Sequence, residues 1–172
     1  MIYTLLEPDH PLLLTALPEI TAETEPESRQ ELLDNMVETM KHYGGIGLSA
    51  NQCGIPVRMF VFGDNENYVP CFNPRIIEAS EKKIPIEEGC LTYPGLFVKI
   101  FRPDEVTATF EDENRELHEE TFTGLMARVF LHEMDHMDGT DFTKRVSKLR
   151  LDMAKKRRAK QQKKLLDISK NT

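Results

Sequence analysis

The run His132-Glu133-Met134-Asp135-His136 places two imidazoles four positions apart. On a helix that spacing puts both rings on one face, a turn apart, within reach of one ion. Glu133 stands beside them and can move a proton on water at that ion. Leu125 and Val129 fall on the same stripe, seven and three positions before His132. The ligand face therefore leads into an apolar surface, as a site beside a greasy pocket requires. A His-Glu-x-x-His pair needs a third protein ligand. No histidine follows His136, and the nearest downstream acids are Asp138 and Asp141. Upstream, Cys90 stands between Gly89 and Leu91 in a strand-like run that ends at Pro94. It reads as a soft thiolate ligand or as a buried small apolar residue, the usual state of a free cysteine. Cys53 and Cys71 take the second reading. No second cluster of ligand types stands out, so one ion per chain is expected.

A third run, Gly44-Gly45-Ile46-Gly47-Leu48-Ser49-Ala50-Asn51-Gln52, superficially matches a dinucleotide fingerprint. That fingerprint follows a strand and opens a helix. Here a helix precedes it and Pro56 soon follows. The better reading is backbone that lets another chain approach closely, with Gln52 offering an amide donor.

These residues need elements to hold them. Ser28 to Glu31 fits a capping box, and Leu32, Leu33, Met36, Val37 and Met40 form a helical stripe that Gly44 and Gly45 close. Residues 1–27 read as an extended arm. Residues 57–62, 68–72, 75–79, 96–101 and 106–110 read as strands, and 83–86 leads into Glu88-Gly89-Cys90-Leu91. Residues 123–138 form the helix that carries the two histidines, and 144–166 a third helix. Strands in the middle with helices toward the ends predict an α+β fold: small antiparallel sheets around a central metal-binding helix, with a C-terminal helix.

The chain has 172 residues, enough for one domain with its own core. It has no apolar run long enough to span a membrane, and its leucine-rich start lacks the basic residues of a secretory signal. Three widely spaced cysteines suit a reducing compartment, so a cytoplasmic location is expected. The net charge is −7, yet residues 144–164 carry eleven Lys or Arg against one acid, Asp152. Residues 143–172 are thus expected to form a basic helical tail on a catalytic body of residues 1–142. Such a tail suits an anionic partner such as RNA, or serves as a solubilising helix. Val146, Leu149 and Met153 are expected to pack its start onto the body, with the rest projecting into solvent.

His-Glu-x-x-His alone fits a small zinc endopeptidase, and a metal-binding adaptor without catalysis is a further reading. Three runs taken together are more specific: GIGLSANQ at 45–52, EGCLT at 88–92 and HEMDH at 132–136. In this order they closely resemble the peptide deformylase family, from about residue 5 to residue 142, with Asn73-Pro74 and Arg102 included. Ser49 and Thr92 depart from the family's Ala and Ser. The resemblance implies Cys90, His132 and His136 as ligands of one divalent ion with an open fourth position. Ferrous iron comes first; zinc, nickel or cobalt are alternatives. It implies Glu133 as the proton carrier, and the Leu91 backbone N–H and the Gln52 amide as donors to the oxyanion. It implies a formylmethionyl nascent peptide paired near Ile46, Gly47 and Gly89. The methionine side chain would then lie among Ile46, Ile86, Leu125, Val129 and His132. Glu88 and Arg102 would form a supporting ion pair. A C-terminal helix contacts the ribosome in some members, which implies the same partner for this tail; a monomer is expected. Arg128 stands where members usually carry an apolar residue. One turn before His132, it is expected at the pocket mouth, favouring peptides with acid at the second or third residue, or else reaching to solvent with no effect on preference.

Overall fold

The computed structural model describes residues 1–64 and 66–170; Asn65 and the last two residues of the tail lie outside them. The elements run α1 (Arg29–His42), β1 (Gly47–Ser49), β2 (Met59–Gly63), β3 (Tyr68–Ala79), β4 (Lys83–Cys90), β5 (Tyr93–Pro103), β6 (Glu105–Glu111), β7 (Leu117–Thr123), α2 (Gly124–Met137) and α3 (Lys148–Lys170). Short 3₁₀ turns occupy Pro11–Leu14, Ala50–Cys53 and Phe142–Arg145. All strand pairings are antiparallel, in a five-stranded sheet of order β1-β2-β3-β6-β7 and a two-stranded sheet of β4 and β5. The fold is α+β, as the order of elements predicted.

α2 contacts β1, β2, β6 and β7 of the large sheet and β5 of the small one. Its apolar residues Phe130, Met134 and Met137 meet Phe60, Phe62, Phe110 and Phe122 in the main core. α1 covers β1 and β2 through Leu32, Leu33, Met36 and Met40. Of the capping box, the Ser28 half forms: Ser28 accepts from the Glu31 N–H, and Gly44 follows the last turn at φ 70°. The far end of α2 is fixed by the N-terminal arm. Met137 O accepts from Leu17 N at 2.9 Å and from Arg58 Nη1 at 3.0 Å. A Cβ at Gly139 would stand 2.6 Å from the arm's backbone at Thr15 and Ala16.

Several elements differ from the sequence reading. The two strands expected around Asn73-Pro74 are one, β3. Asn73 sits at φ 49° and the register shifts between Phe72 and Arg75, so a bulge carries the strand through the proline. β7 was not foreseen. Phe122 is its one buried residue, so it shows no alternation of apolar and polar. Residues 144–147 do not begin the last helix, because a 3₁₀ turn takes Phe142–Arg145 and α3 starts at Lys148. Of the three residues expected to pack α3, Val146 does so, while Leu149 and Met153 face solvent. Leu151 and Ala154 meet Leu96, Val98 and Ile100 of β5 instead.

Candidate metal centre

Every residue of α2 from Ala127 to Met137 is buried. His132 and His136 lie one turn apart with ring centroids 5.3 Å from each other. Cys90 comes from the end of β4, where the β4–β5 register shifts between Glu88 and Cys90. Gly89 makes that irregularity possible: a Cβ there would stand 2.6 Å from the Phe97 ring. The bulge brings Cys90 Sγ to 3.4 Å from His136 Nε2. The ligand atoms of Cys90, His132 and His136 all lie within 4.8 Å of one another. Tetrahedral zinc or iron needs sulfur and nitrogen about 3.5 Å apart, so the three atoms suit one ion. His132 donates from Nδ1 to Glu88 Oε2 at 3.0 Å, which leaves Nε2 with its lone pair for the ion.

Charge within the cluster follows the same logic. Burial raises the Cys90 thiol, but the neighbouring His136 and His132 outweigh it and bring it down to about 5. Burial opposes protonation of both imidazoles, yet the thiolate, joined by Glu88 at His132, raises each above its ordinary value. The protons that the thiolate draws onto the imidazoles mark lone pairs that a cation would take in their place, with release of those protons. Burial pushes Glu133 up to about 7 against the pull of the two histidines. Its Oε2 is buried without a hydrogen-bond partner among the described residues.

Gln52 reaches the cluster from the 3₁₀ turn after β1. Its Nε2 donates to Thr92 Oγ1 at 2.9 Å and to Cys90 Sγ at 3.4 Å. Its Oε1 accepts from Ser49 N at 3.0 Å and Ser49 Oγ at 2.8 Å. Both positions at which the sequence departs from the family motif thus hold this amide. Asn51 donates to His136 O at 2.8 Å and ties the same turn to α2.

Glu88 and Arg102 pair at 2.7 and 2.9 Å. Arg102 also reaches Asp135 at 2.9 Å, and Asp135 pairs with Arg145 of the last 3₁₀ turn. His132, Asn51, Cys90 and Gln52 are therefore fixed by groups from five segments. Burial raises the Glu88 carboxyl, but His132, Arg102 and Arg128 bring it down to about 2. Sequence reading missed Asp135 as a tether, although it stands inside HEMDH.

Arg128 is not at a pocket mouth. It is buried and donates to Glu88 Oε1 at 2.7 Å and to the carbonyls of Ile100 and Ile84 at 2.9 and 2.5 Å. It lines the wall of the cavity beside the centre, but a buried guanidinium whose charge is committed to Glu88 is not free to meet acid at the second or third residue of a peptide. The expectation of a single ligand-type cluster also needs correcting. Asp112 and Glu116 of the turn between β6 and β7 meet His118 at the start of β7. Asp112 there already accepts from Asn114 N, Glu116 N and His118 Nε2, which is ordinary turn chemistry.

A cavity of about 570 Å³ opens on the centre, lined by Ile46, Gly47, Ile86, Gly89, Leu125 and Val129 beside Gln52, Cys90, His132 and Glu133. β1 forms the edge of the large sheet here. Gly63 N donates to Ile46 O. By the alternation of an antiparallel ladder, Gly47 then turns its own N–H and C=O away from β2. A side chain at 47 would collide with Glu133 and Val129, so glycine keeps that carboxylate accessible.

A soft three-ligand centre with a buried carboxylate and an apolar cleft alongside marks the class of metal-dependent hydrolases. Comparison with known proteins narrows the class. Residues 2–152 match the family described as polypeptide deformylase. The peptide deformylase of Thermotoga neapolitana is 38% identical over 145 residues, 84% of each chain. The crystal structure of peptide deformylase from Thermotoga maritima superposes with a TM-score of 0.80 at 35% identity, covering 86% of this chain and 99% of that one. A Met-Ala-Ser-bound peptide deformylase from Acinetobacter baumannii gives 0.80 at 27% identity, covering 85% and 99%. The chain belongs to the polypeptide deformylase family.

Proposed function

We propose that this chain removes the formyl group from formylmethionyl peptides by metal-dependent hydrolysis, releasing formate and a free amine. The observation that carries the reading is the buried, unpartnered Glu133 carboxylate oxygen beside Cys90, His132 and His136. Cys90, His132 and His136 would hold a divalent ion, which would supply the Lewis acidity that lowers the pKa of water and polarises the formyl carbonyl. Glu133 takes the proton from the attacking water and returns it to the leaving amine. Its pKa, raised by burial to about 7, suits both halves of that transfer. Gln52 Nε2, exchanging its long contact with Cys90 Sγ, and the Leu91 N–H donate to the formyl oxygen as it gains charge. Glu88 and Arg102 hold His132 in the tautomer that faces the ion.

The peptide lies extended, its main chain against Ile46, Gly47 and Gly89. Its methionine side chain enters the cavity among Ile46, Ile86, Leu125 and Val129. The Met-Ala-Ser bound by the Acinetobacter protein is the deformylated end of such a substrate. A thiolate with two imidazoles accepts ferrous iron, zinc, nickel or cobalt; we propose ferrous iron as the resident ion. We further propose a cytoplasmic monomer with a catalytic body of residues 1–142 and a basic tail of residues 143–172. Exposed lysines along α3 support docking of that tail on ribosomal RNA. Among the described residues no helix is long and apolar enough to cross a membrane.

The test is formate release from formyl-Met-Ala-Ser by anaerobically purified, metal-loaded protein. Stoichiometric formate with no cleavage of casein is the expected result. Casein cleavage without formate would point to an endopeptidase, and metal binding without either to an adaptor.

A further inference from the structure

Glu88 carries more donors than the support of one ligand requires. Its Oε1 accepts from Arg102 Nε and from Arg128 Nη1, each at 2.7 Å. Its Oε2 accepts from Arg102 Nη2 at 2.9 Å and from His132 Nδ1 at 3.0 Å. All four residues are buried. Arg102 divides its charge, because Nη2 also pairs with Asp135 at 2.9 Å. Arg128 spends its remaining contacts on the neutral carbonyls of Ile84 and Ile100, so Glu88 is its one ionic partner among the described residues. It stands on α2 one turn before His132. The helix that supplies the ligand also supplies a competitor for the carboxylate behind that ligand.

A carboxylate that accepts from His Nδ1 increases electron donation from Nε2 to a bound ion. Each further cationic donor on the same carboxylate draws negative charge toward itself, leaving less for the imidazole. We infer that Arg128 is a positioning residue that loosens the hold of His132 on the metal by drawing the charge of Glu88 away from Nδ1. The inference rests on the proposed reading of Cys90, His132 and His136 as ligands. With an apolar residue at 128, two buried carboxylates, Glu88 and Asp135, would face one buried guanidinium, with Arg145 half exposed at the rim. Glu88 would then act as the stronger base toward His132. The sign of this effect separates it from a packing role. A residue that merely clamps α2 to β4 and β5 tightens the metal site when present and slackens it when removed.

The experiment is competition for zinc between the full-length protein and a chromophoric chelator, with the rate of zinc loss followed alongside. Arg128→Met keeps an unbranched stem and removes every donor. It is expected to bind zinc about tenfold more tightly than the wild type and to release it more slowly. Arg128→Lys keeps one charge and is expected to fall between the two. Glu88→Gln removes the carboxylate that transmits the effect and is expected to weaken zinc binding. Thermal unfolding of each variant reports whether it is folded. If Arg128→Met does not fold, Arg128→Lys decides, and affinity no higher than that of the wild type overturns the inference. Equal or weaker zinc binding by a folded Arg128→Met overturns it as well, as does an unchanged affinity in Glu88→Gln. Failure of the wild type to bind one zinc would remove the ligand reading itself, and the inference with it.

Discussion

α2 and α3 are both rich in charge, and they hold it in opposite ways. In α2, Arg128, Glu133 and Asp135 are buried, and the two that are ion-paired meet partners on other elements: Glu88 on β4, Arg102 on β5, Arg145 beyond the helix. In α3, Ala154 is the one buried residue among those described, and the basic side chains mostly stand in solvent. The contact of α3 with the small sheet is made largely by Leu151 and Ala154 and by a bond from Arg157 to Phe97 O, with Val146 packing just ahead of the helix. Removing one partner of a buried pair costs about 3–5 kcal/mol, whereas an exposed pair contributes about 0–1 kcal/mol. Charge in α2 is therefore specific to position, and charge in α3 is largely additive and interchangeable.

The largest break in this comparison comes from the centre itself. Glu133→Ala is expected to lower kcat/KM by about 10²- to 10⁴-fold while elemental analysis still finds about one metal per chain. Cys90→Ala is expected to lose the metal and Cys71→Ala to keep it. A Glu133→Ala enzyme with a tenth of normal kcat/KM would sink the proton-transfer role.

Next comes acid stability. The folded pKa of Glu88, about 2, lies below the ordinary 4.5. Its contribution is therefore present above about 4.5 and is lost as pH falls toward 2, by up to about 3 kcal/mol. Urea denaturation between those pH values is expected to show a flatter pH dependence in Glu88→Gln than in the wild type. Parallel slopes would mean that another group governs acid unfolding.

A smaller effect is expected at Ser49. Its hydroxyl donates to Gln52 Oε1 at 2.8 Å, but its backbone N–H does so too. Ser49→Ala removes one hydrogen bond worth about 1 kcal/mol. It is expected to lower kcat about fivefold with KM little changed, and Ser49→Thr to restore it. A change confined to KM would assign the hydroxyl to substrate binding.

The smallest effect on chemistry belongs to α3. Replacing Lys155, Lys156, Lys160, Lys163 and Lys164 by Gln is expected to leave turnover of a free formyl peptide within twofold. Ribosome co-sedimentation, by contrast, is expected to collapse, and in the unaltered protein to fall steeply with salt. Retained co-sedimentation would leave the tail a solubilising helix.

Local pattern made α2 legible, because the histidine spacing and the apolar stripe lie within sixteen residues and need no partner to be read. The 45–52 and 88–92 runs were legible as motifs, but their arrangement was not. Gln52 depends on Ser49 and on Thr92, forty residues away, and no periodicity links them. β7 hid because a strand with one buried side chain has no pattern to display. Arg128 was misplaced for a related reason. Its helical position is local information, but a long guanidinium chooses partners from whatever β4 and β5 bring near. Leu149 and Met153 misled because a helix that touches its neighbour along one narrow line buries small residues such as Ala154 more readily than large ones.

The free edge at Gly47 carries a consequence for timing. A ligand that pairs there must be an extended strand with its own N–H and C=O groups uncommitted. A chain end already wound into a helix has the carbonyls of its first turn bonded to N–H groups four residues on. Such an end cannot use this edge, whatever its first residue. Processing at this cleft is then a race between arrival at the enzyme and folding of the substrate's own first residues. Helices form within about a microsecond, far faster than two macromolecules meet. Chain ends that stay open longest, being too short or too polar to fold alone, are the ones this edge can capture.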